Sequence, residues 1–226
     1  MPAQKTIANA IAHYAKLCHP TSAQLLAVSK LKPASDVMLA YEAGQRHFAE
    51  NYVQELVDKY EACPKDIHWH FIGHLQSNKV KYIVPFVHLI QSIDSQKLLQ
   101  EVSKQAQKVG RVVDVLLQIY IAAEETKFGL DEEEARQILA GQVMHPLPNI
   151  RIVGLMGMAS FTEDKAQVAK EFAGLAERRT EWADVYQHDS IDLRELSMGM
   201  SQDLELALAA GSTMVRIGTA IFGARS

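Results

Sequence analysis

Short apolar runs alternate along the whole chain with longer segments of helical periodicity. Most of the runs are rich in Val, Ile, Leu or Phe, as expected of strands that are covered on both faces. Three have weak patterns, because one is short, one is polar and one is charged. The eight predicted strands lie within 24–30, 46–51 (the short one), 67–74 (polar), 87–94, 112–122, 150–160, 191–200 (charged) and 213–223.

The segments between these runs carry helix signals. Ser35 can cap a helix that ends at Gly44, and Ser201 can cap one that ends at Gly211. Asp94 or Ser95 can cap the helix that follows the fourth run. A further helical segment precedes the first run and is expected to lie outside the repeating pattern.

Repeated strand–helix units of this number predict a (β/α)8 barrel, a fold of about 250 residues. An open, doubly wound sheet is the alternative. The barrel is favoured because the run ends repeatedly carry polar residues or glycine, as one shared ligand-binding rim would. No stretch has the composition of a linker, so we expect one domain over residues 1–226.

Composition narrows the function classes. The formal net charge of -4 argues against a partner bound mainly through nucleic-acid phosphates. Cys18 and Cys63 are the two cysteines and form no CxxC motif, which suits a reducing cytoplasm. The N-terminal segment lacks a signal-peptide pattern, and no apolar stretch approaches the roughly 18 to 20 residues of a membrane helix. We expect a cytoplasmic protein that binds neither nucleic acid nor membrane.

The candidate chemistry lies at the predicted C-terminal ends of the strands, where such barrels place their functional groups. The first run ends in Lys30, although lysine is rarely buried unless it is paired or chemically used. Segments 197–201 and 216–219 follow the last two runs, where barrels of this class often bind phosphate. A partly desolvated lysine near another cation, here Arg216, has a lowered pKa and reacts with aldehydes. Together these features indicate pyridoxal 5'-phosphate.

Each feature also has a plainer interpretation. The first strand can simply end at Lys30, with its side chain in solvent. Segments 197–201 and 216–219 can be ordinary caps and turns. Arg216 can form an ion pair with a carboxylate on the barrel floor. The residues alone leave these alternatives open.

Several long motifs resemble those of the pyridoxal phosphate homeostasis protein family, also called the proline synthetase co-transcribed family. The resemblance extends along nearly the whole chain and is most specific in its last thirty or so residues. The motifs are "LLAVSKLKPAS", "FAENYVQE", "WHFIGHLQSNK", "GLMGMAS" and "LSMGMSQDLELALAAGSTMVRIGTAIFGAR".

The resemblance implies a fold-type III pyridoxal-phosphate barrel like the N-terminal domain of alanine racemase, with Lys30 as the Schiff-base lysine. Arg216 matches the arginine that faces the pyridine nitrogen and keeps it unprotonated. The other matched cofactor positions are Asn51 beside the ring and Ser201, Gly218 and Thr219 at the phosphate. The chain departs from many members in having His74 where they have proline, which touches none of these contacts.

The resemblance also implies a function, since members bind the cofactor without an established turnover and are thought to buffer it and deliver it to apo-enzymes. A racemase needs acid–base groups on both faces of the substrate Cα, and alanine racemase takes one of them from a second, β-rich domain. Here the chain ends at Ser226, directly after the eighth run. We therefore expect a non-catalytic, monomeric carrier, with a small amino-acid racemase as the alternative.

Two further features have weaker support. His68, His70 and His74 suggest a metal-dependent hydrolase, but no carboxylate lies at a partner spacing, so we assign no metal ligand. Lys127, in "TKFG", is a candidate for a secondary cofactor contact.

Overall fold

Eight parallel strands form a closed barrel in sequential order. The computed structural model describes residues 2–122 and 129–224. The strands are β1 (Gln24–Val28), β2 (His47–Glu50), β3 (His68–Phe71), β4 (Leu89–Ile93), β5 (Val113–Ile119), β6 (Ile150–Gly157), β7 (Ile191–Ser197) and β8 (Met214–Ile217).

Helices follow the strands and cover the outside of the barrel. They are α1 (Pro2–Cys18), α2 (Ala34–Glu42), α3 (Val53–Ala62), α4 (Val80–Ile83), α5 (Gln96–Lys108), α6 (Glu132–Met144), α7 (Lys165–Val185), α8 (Leu204–Ala209) and α9 (Thr219–Phe222). The helix α1 precedes β1, as predicted. None of the helices in the described part of the chain is long and apolar enough to span a membrane.

The pairing of β1 with β8 closes the barrel and confirms the predicted (β/α)8 fold over the open sheet. Leu26 pairs with Arg216 and Ala27 with Ile217. Because the two strands are parallel, the segments after Val28 and Ile217 emerge at the same rim. The three weakly patterned runs are true strands, namely β2, β3 and β7.

The buried side chains form two separate hydrophobic clusters. The larger one combines strand and helix residues and lies between the barrel and its helices. The smaller one consists only of strand residues, so it fills the barrel interior, as alternate inward-facing positions do. Its members are Leu26, Val28, Ala49, Leu89, Leu116, Val153, Met156 and Met214.

The predicted helix caps are partly confirmed. The Ser95 hydroxyl accepts a hydrogen bond from the Leu98 N–H and caps α5. Ser35 is not a cap, because α2 already begins after Pro33, whose φ of -68° suits a helix start. Ser201 is not a cap either, because the Asp203 carboxylate accepts the Met200 N–H and α8 begins only at Leu204.

Candidate functional site

The C-terminal rim of the barrel, called the mouth below, brings three of the predicted site residues together. Lys30, Gly218 and Thr219 line one small cavity between the ends of β1 and β8. The remaining lining residues are Val28, Lys32, Phe222 and Gly223. Lys30 is half-buried two residues after β1, so the strand does not simply release it into solvent.

A close backbone approach at Gly218 shapes this cavity. A Cβ added at Gly218 would lie 3.2 Å from the Val28 carbonyl oxygen, closer than a side chain comfortably packs. The Gly218 carbonyl accepts the Ile221 and Phe222 N–H groups and so begins α9. The first amides of a helix have no partner within it, so the Thr219 end of α9 presents N–H groups to a ligand beside Lys30.

Arg216 lies below this cavity as a buried cation. Its side chain is 5% exposed and donates to the Ser197 hydroxyl (2.7 Å) and the Gly157 carbonyl (2.9 Å). Among the described residues no carboxylate lies within 4 Å of the guanidinium, so the predicted alternative of a barrel-floor ion pair is not observed. Burial lowers the pKa of Arg216 to about 10, which still leaves it charged at neutral pH. Both hydrogen-bond partners of this buried charge are neutral, and the Asp203 carboxylate favours the charge from beyond ion-pair distance.

Asn51 and Ser201 lie at the mouth but outside the Lys30 cavity. Asn51 follows β2 and lines a groove shared with Tyr52 and His74. Its buried Oδ1 has no hydrogen-bond partner among the described residues. Ser201 is exposed and lines a third groove, next to Lys165.

The turn that carries Lys30 is held by a buried ionic network that sequence reasoning did not find. Lys59, on α3, donates to the Glu50 carboxylate (2.6 Å), the Glu55 carboxylate (3.0 Å) and the Ser29 carbonyl (2.8 Å). The Ser29 hydroxyl donates to the same Glu50 oxygen (2.6 Å). Lys59 is 5% exposed and Glu50 is fully buried. Both residues flanking Lys30 are therefore tied to α3, since the Leu31 N–H donates to Glu55 (2.8 Å).

This network explains how a strained turn persists at the site. Leu31 has a φ of 60°, a left-handed conformation that is uncommon for a residue other than glycine. Burial raises the pKa of the Glu50 carboxyl, and Lys59 and the Ser29 hydroxyl act against that rise. The available signal in the sequence was a carboxylate, Glu50, at the end of an apolar strand. A lysine on an amphipathic helix such as Lys59 gives no comparable signal.

The structure separates His68 and His70 from His74, so the three histidines that the sequence suggested do not form one ligand set. His68 and His70 lie in β3 near the opposite end of the barrel, whereas His74 lies at the mouth. The His74 Nδ1 is 3.0 Å from the Asp94 carboxylate. Lys127 lies outside the described residues.

Comparisons with known proteins agree with this architecture. The family described as "Alanine racemase, N-terminal domain" matches residues 4–226. A relative from Aquifex aeolicus (strain VF5), named "Pyridoxal phosphate homeostasis protein", is 41% identical over 204 residues, which are 90% of this chain and 87% of the relative.

Solved structures give the same result. PipY of Synechococcus elongatus PCC7942, solved without PLP, has a TM-score of 0.89 at 37% identity and covers 96% of this chain and 100% of its own. The same protein with PLP bound has a TM-score of 0.86. Alanine racemase of Clostridium difficile 630, at 13% identity and a TM-score of 0.77, shares the fold over 98% of this chain and 56% of its own.

The fold and the match over almost the whole chain place the protein in the class of alanine racemase N-terminal-domain barrels. Within that class, the chain belongs to the pyridoxal phosphate homeostasis protein family. The resemblance stated from the sequence motifs is confirmed.

Proposed function

We propose that the protein binds pyridoxal 5'-phosphate at the mouth of the barrel and carries it without turning over a substrate. The observation that carries this proposal is the placement of Lys30 in one cavity with the α9 amides, above a buried Arg216 that lacks an anionic partner. A homologous structure, PipY, is described with PLP bound.

The residues at the mouth fit the parts of this cofactor. Lys30 would supply the amine that bonds its aldehyde carbon, with loss of water. Thr219 and the backbone at Gly218 would bind the phosphate, with Ser201 contributing from the neighbouring loop. Arg216 would face the ring nitrogen, and Asn51, whose buried Oδ1 is otherwise unpartnered, would lie beside the ring.

Arg216 would set the protonation state of the cofactor ring, and because racemase-like sites have the matching arginine, it is compatible with either a carrier or a racemase. When bound, the cofactor supplies an electron-withdrawing ring, most strongly when its ring nitrogen is protonated. A guanidinium with a pKa of about 10 remains a cation at neutral pH and cannot readily give a proton to that nitrogen. We infer that the ring stays a weak electron sink in this protein.

The residues around Lys30 favour a carrier. A racemase needs a second acid–base group facing the first. Among the described residues that line the cavity, the titratable side chains are Lys30 and Lys32, and Lys32 donates to the Ala224 carbonyl (2.7 Å). We infer that the Lys30 cavity itself supplies no second proton-transfer group.

We also propose an oligomeric state, a cellular compartment and recipients for this carrier. The carrier would act as a one-domain monomer in the cytoplasm, where the two free and buried cysteines, Cys18 and Cys63, remain reduced. It would hand its cofactor to apo-enzymes that require it. Sedimentation analysis at micromolar concentration tests the monomer, and reactivation of a cofactor-stripped enzyme tests the transfer.

The absorbance spectrum of the purified chain mixed with pyridoxal 5'-phosphate tests cofactor binding. We expect a visible band from the lysine-linked cofactor that disappears in Lys30→Ala. Lys32→Ala is the matched control, because Lys32 lines the same cavity, and we expect it to keep the band. Absence of the band from the unaltered chain, or its persistence in Lys30→Ala, would contradict the proposal.

A second measurement separates the carrier from a racemase. Enantiopure amino acids incubated with the loaded protein should keep their optical purity over many equivalents of protein. Multiple-turnover racemisation that Lys30→Ala abolishes would show that the protein is an enzyme.

A further inference from the structure

The N-terminal end of the barrel, called the base below, carries a cluster of four histidines that the proposed cofactor site does not use. The Nδ1 of His47 lies 3.1 Å from the Nε2 of His70, and the Nδ1 atoms of His68 and His88 are 3.3 Å apart. The rings of His47 and His68 are stacked, with centroids 4.6 Å apart. One ligand nitrogen each from His47, His70 and His88 lies within 4.8 Å of the other two.

Strand register assembles this cluster from distant parts of the chain. His47 pairs with His68 across β2 and β3, and His70 pairs with Leu89, the residue after His88, across β3 and β4. The three strands therefore bring their imidazoles together where the strands begin. This accounts for the polar character of the third apolar run, which the hydrophobic pattern alone left weak.

We propose that the barrel base binds a divalent transition-metal ion, with Zn²⁺ as the representative, through His47, His70 and His88. Three imidazoles are a ligand set that zinc takes in proteins, with the fourth position open to water or another ligand. Zinc–nitrogen distances of about 2.0–2.1 Å in a tetrahedron place ligand nitrogens about 3.3 Å apart. His47 and His70 already have nearly this spacing. The exposed His88, whose Nδ1 contacts His68, would rotate away from that contact toward them.

The protonation state of the cluster suits metal binding, since only a neutral imidazole can donate its lone pair. Burial, helped by repulsion from His68 and His88, lowers the pKa of His47 to about 4. Burial likewise lowers the pKa values of His70 and His88. At neutral pH the three ligands are therefore available without prior loss of a proton.

A buried hydrogen-bond chain orients His70 within the cluster. Arg216 donates to Ser197, the Ser197 hydroxyl donates to the Gln91 side-chain oxygen (2.7 Å), and the Gln91 amide lies 3.0 Å from the His70 Nδ1. A partner on one ring nitrogen sets which nitrogen faces the metal, as in well-formed zinc sites. In this arrangement the Gln91 N–H donates to Nδ1, so His70 carries its proton on Nε2. Metal binding at Nε2 therefore needs that proton to move to Nδ1 and the Gln91 amide to turn, which gives up the Ser197 bond to its oxygen.

The exposure of His88 leaves a route for the ion, and the nearby charges partly oppose it. His88 and His68 are solvent-exposed, whereas His70 is fully buried beneath them. The charged groups that act on His88 are Asp114, Arg111 and Arg194. Asp114 favours a cation at this surface and the two arginines oppose it. Arg194 is neutralised by Asp192, Glu195 and Asp114, and Arg151 also pairs with Asp114. Arg111 hydrogen-bonds to the neutral Val84 and Val87 carbonyls, so it remains a positive charge that opposes the ion.

The test uses the full chain without a histidine tag and without the cofactor, stripped with a chelator and then titrated with Zn²⁺ in a calorimeter. We expect one ion per chain. Loss of outer partners of a metal site weakens binding by about 10–100-fold, and loss of a ligand in His88→Gln or His47→Gln should weaken it at least as much. Because His88 is exposed, His88→Gln should fold normally, which its thermal unfolding will verify.

His145→Gln is the matched control, since His145 is an exposed histidine at the end of α6 and is not one of the four clustered histidines. It should bind Zn²⁺ as tightly as the unaltered chain. X-ray absorption at the zinc edge should show imidazole ligands in the unaltered protein. Equal affinity in His88→Gln, His47→Gln and the control, or no stoichiometric binding to the unaltered chain, would overturn the proposal. Because no cofactor is present, this result is independent of the cofactor experiment.

Discussion

The mouth and the base of the barrel use polar side chains in opposite ways. At the mouth, Lys30, Arg216 and the α9 amides are donors or cations supplied by separate strand ends. At the base, His47, His70 and His88 are neutral groups crowded within contact of one another. Among the described residues, Arg216 at the mouth is a buried cation with no carboxylate within 4 Å, and the three imidazoles at the base are clustered electron-pair donors.

This difference teaches what kind of ligand each end selects. A buried charge is stable only when it is paired or hydrogen-bonded, so Arg216 favours an anionic or electron-rich ligand. Clustered imidazoles that resist protonation favour a metal ion instead. The hydrogen-bond chain from Arg216 through Ser197 and Gln91 to His70 joins the two ends through the barrel interior.

The largest expected effect comes from breaking the network behind Lys30 at the mouth. Glu50→Gln leaves the buried Lys59 ammonium with a weakened set of partners, and removal of one member of a buried ion pair costs about 3–5 kcal/mol. We expect denaturant unfolding to show a loss near the lower end of that range, because Glu55 still pairs with Lys59. Cofactor affinity should fall as well, since the Lys30 turn loses its anchor.

The double variant Glu50→Gln with Lys59→Met is the control for this prediction. It removes both charges and should be more stable than Glu50→Gln alone. If the two variants are equally stable, the ion pair does not hold the turn.

Interrupting the hydrogen-bond chain that joins the mouth to the base should have the next largest effect on stability. Ser197→Ala leaves donors on Arg216 and an acceptor on Gln91 unsatisfied, and such buried groups cost about 1–3 kcal/mol. We expect both the cofactor affinity at the mouth and the Zn²⁺ affinity at the base to decrease. Ser92→Ala is the control, because the buried Ser92 hydroxyl has no partner among the described residues. A change at only one end would show that the two ends act independently.

When a chelator keeps the protein metal-free, the free energy of unfolding should depend on pH through the histidines at the barrel base. In the unfolded chain His47 has an ordinary pKa near 6.5, but burial lowers it to about 4 in the folded chain. Between these values the unfolded chain binds a proton that the folded chain does not, so stability is full above pH 6.5 and falls toward pH 4. We expect this histidine to contribute on the order of 2 kcal/mol across that window.

The measurement is the difference between the unaltered chain and His47→Gln in chemical denaturation at several pH values, which cancels the carboxylates that titrate in the same range. His145→Gln should follow the unaltered chain. A His47→Gln curve parallel to that of the unaltered chain from pH 6.5 to 4 would contradict the prediction.

The smallest expected effect concerns the phosphate contacts at the mouth. Thr219→Val keeps the shape of the side chain but removes its hydroxyl, and one hydrogen bond to a charged group contributes about 1.5–3 kcal/mol. Since Thr219 is exposed, we expect the low end, a weakening of cofactor affinity by roughly tenfold. Equilibrium titration of the visible band measures it. Ser201→Ala should weaken binding less, because Ser201 lines a different groove, and an equal effect would place both hydroxyls on the phosphate.

The sequence predicted most of the fold because the fold depends on local patterns. Apolar runs of strand length, repeated with helical segments, were sufficient for the barrel and for α1. The run at 67–74 looked weak because it contains the polar His70. That ring is buried in the histidine cluster at the barrel base, which the sequence pattern does not reveal. The run at 191–200 looked weak because Asp192 and Arg194 are exposed and pair at the surface.

The site was predictable where a residue violates its local pattern. Lys30 and Arg216 were found because each places a cation in an apolar strand context. Lys59 was missed because a lysine on an amphipathic helix is indistinguishable from a surface lysine until α3 packs on β2. The histidine cluster was not found because its members come from three strands, with His47 in β2, His70 in β3 and His88 just before β4.

The sequence by itself determined the barrel, the family and the lysine at the end of the first strand, since periodicity and motif are properties of contiguous residues. Only the tertiary structure decided which groups meet. Barrel closure set Gly218 against Val28, strand register set His47, His70 and His88 together, and burial kept Arg216 without an anion. Register and burial arise from contacts between residues far apart in the chain, so no local pattern carries them.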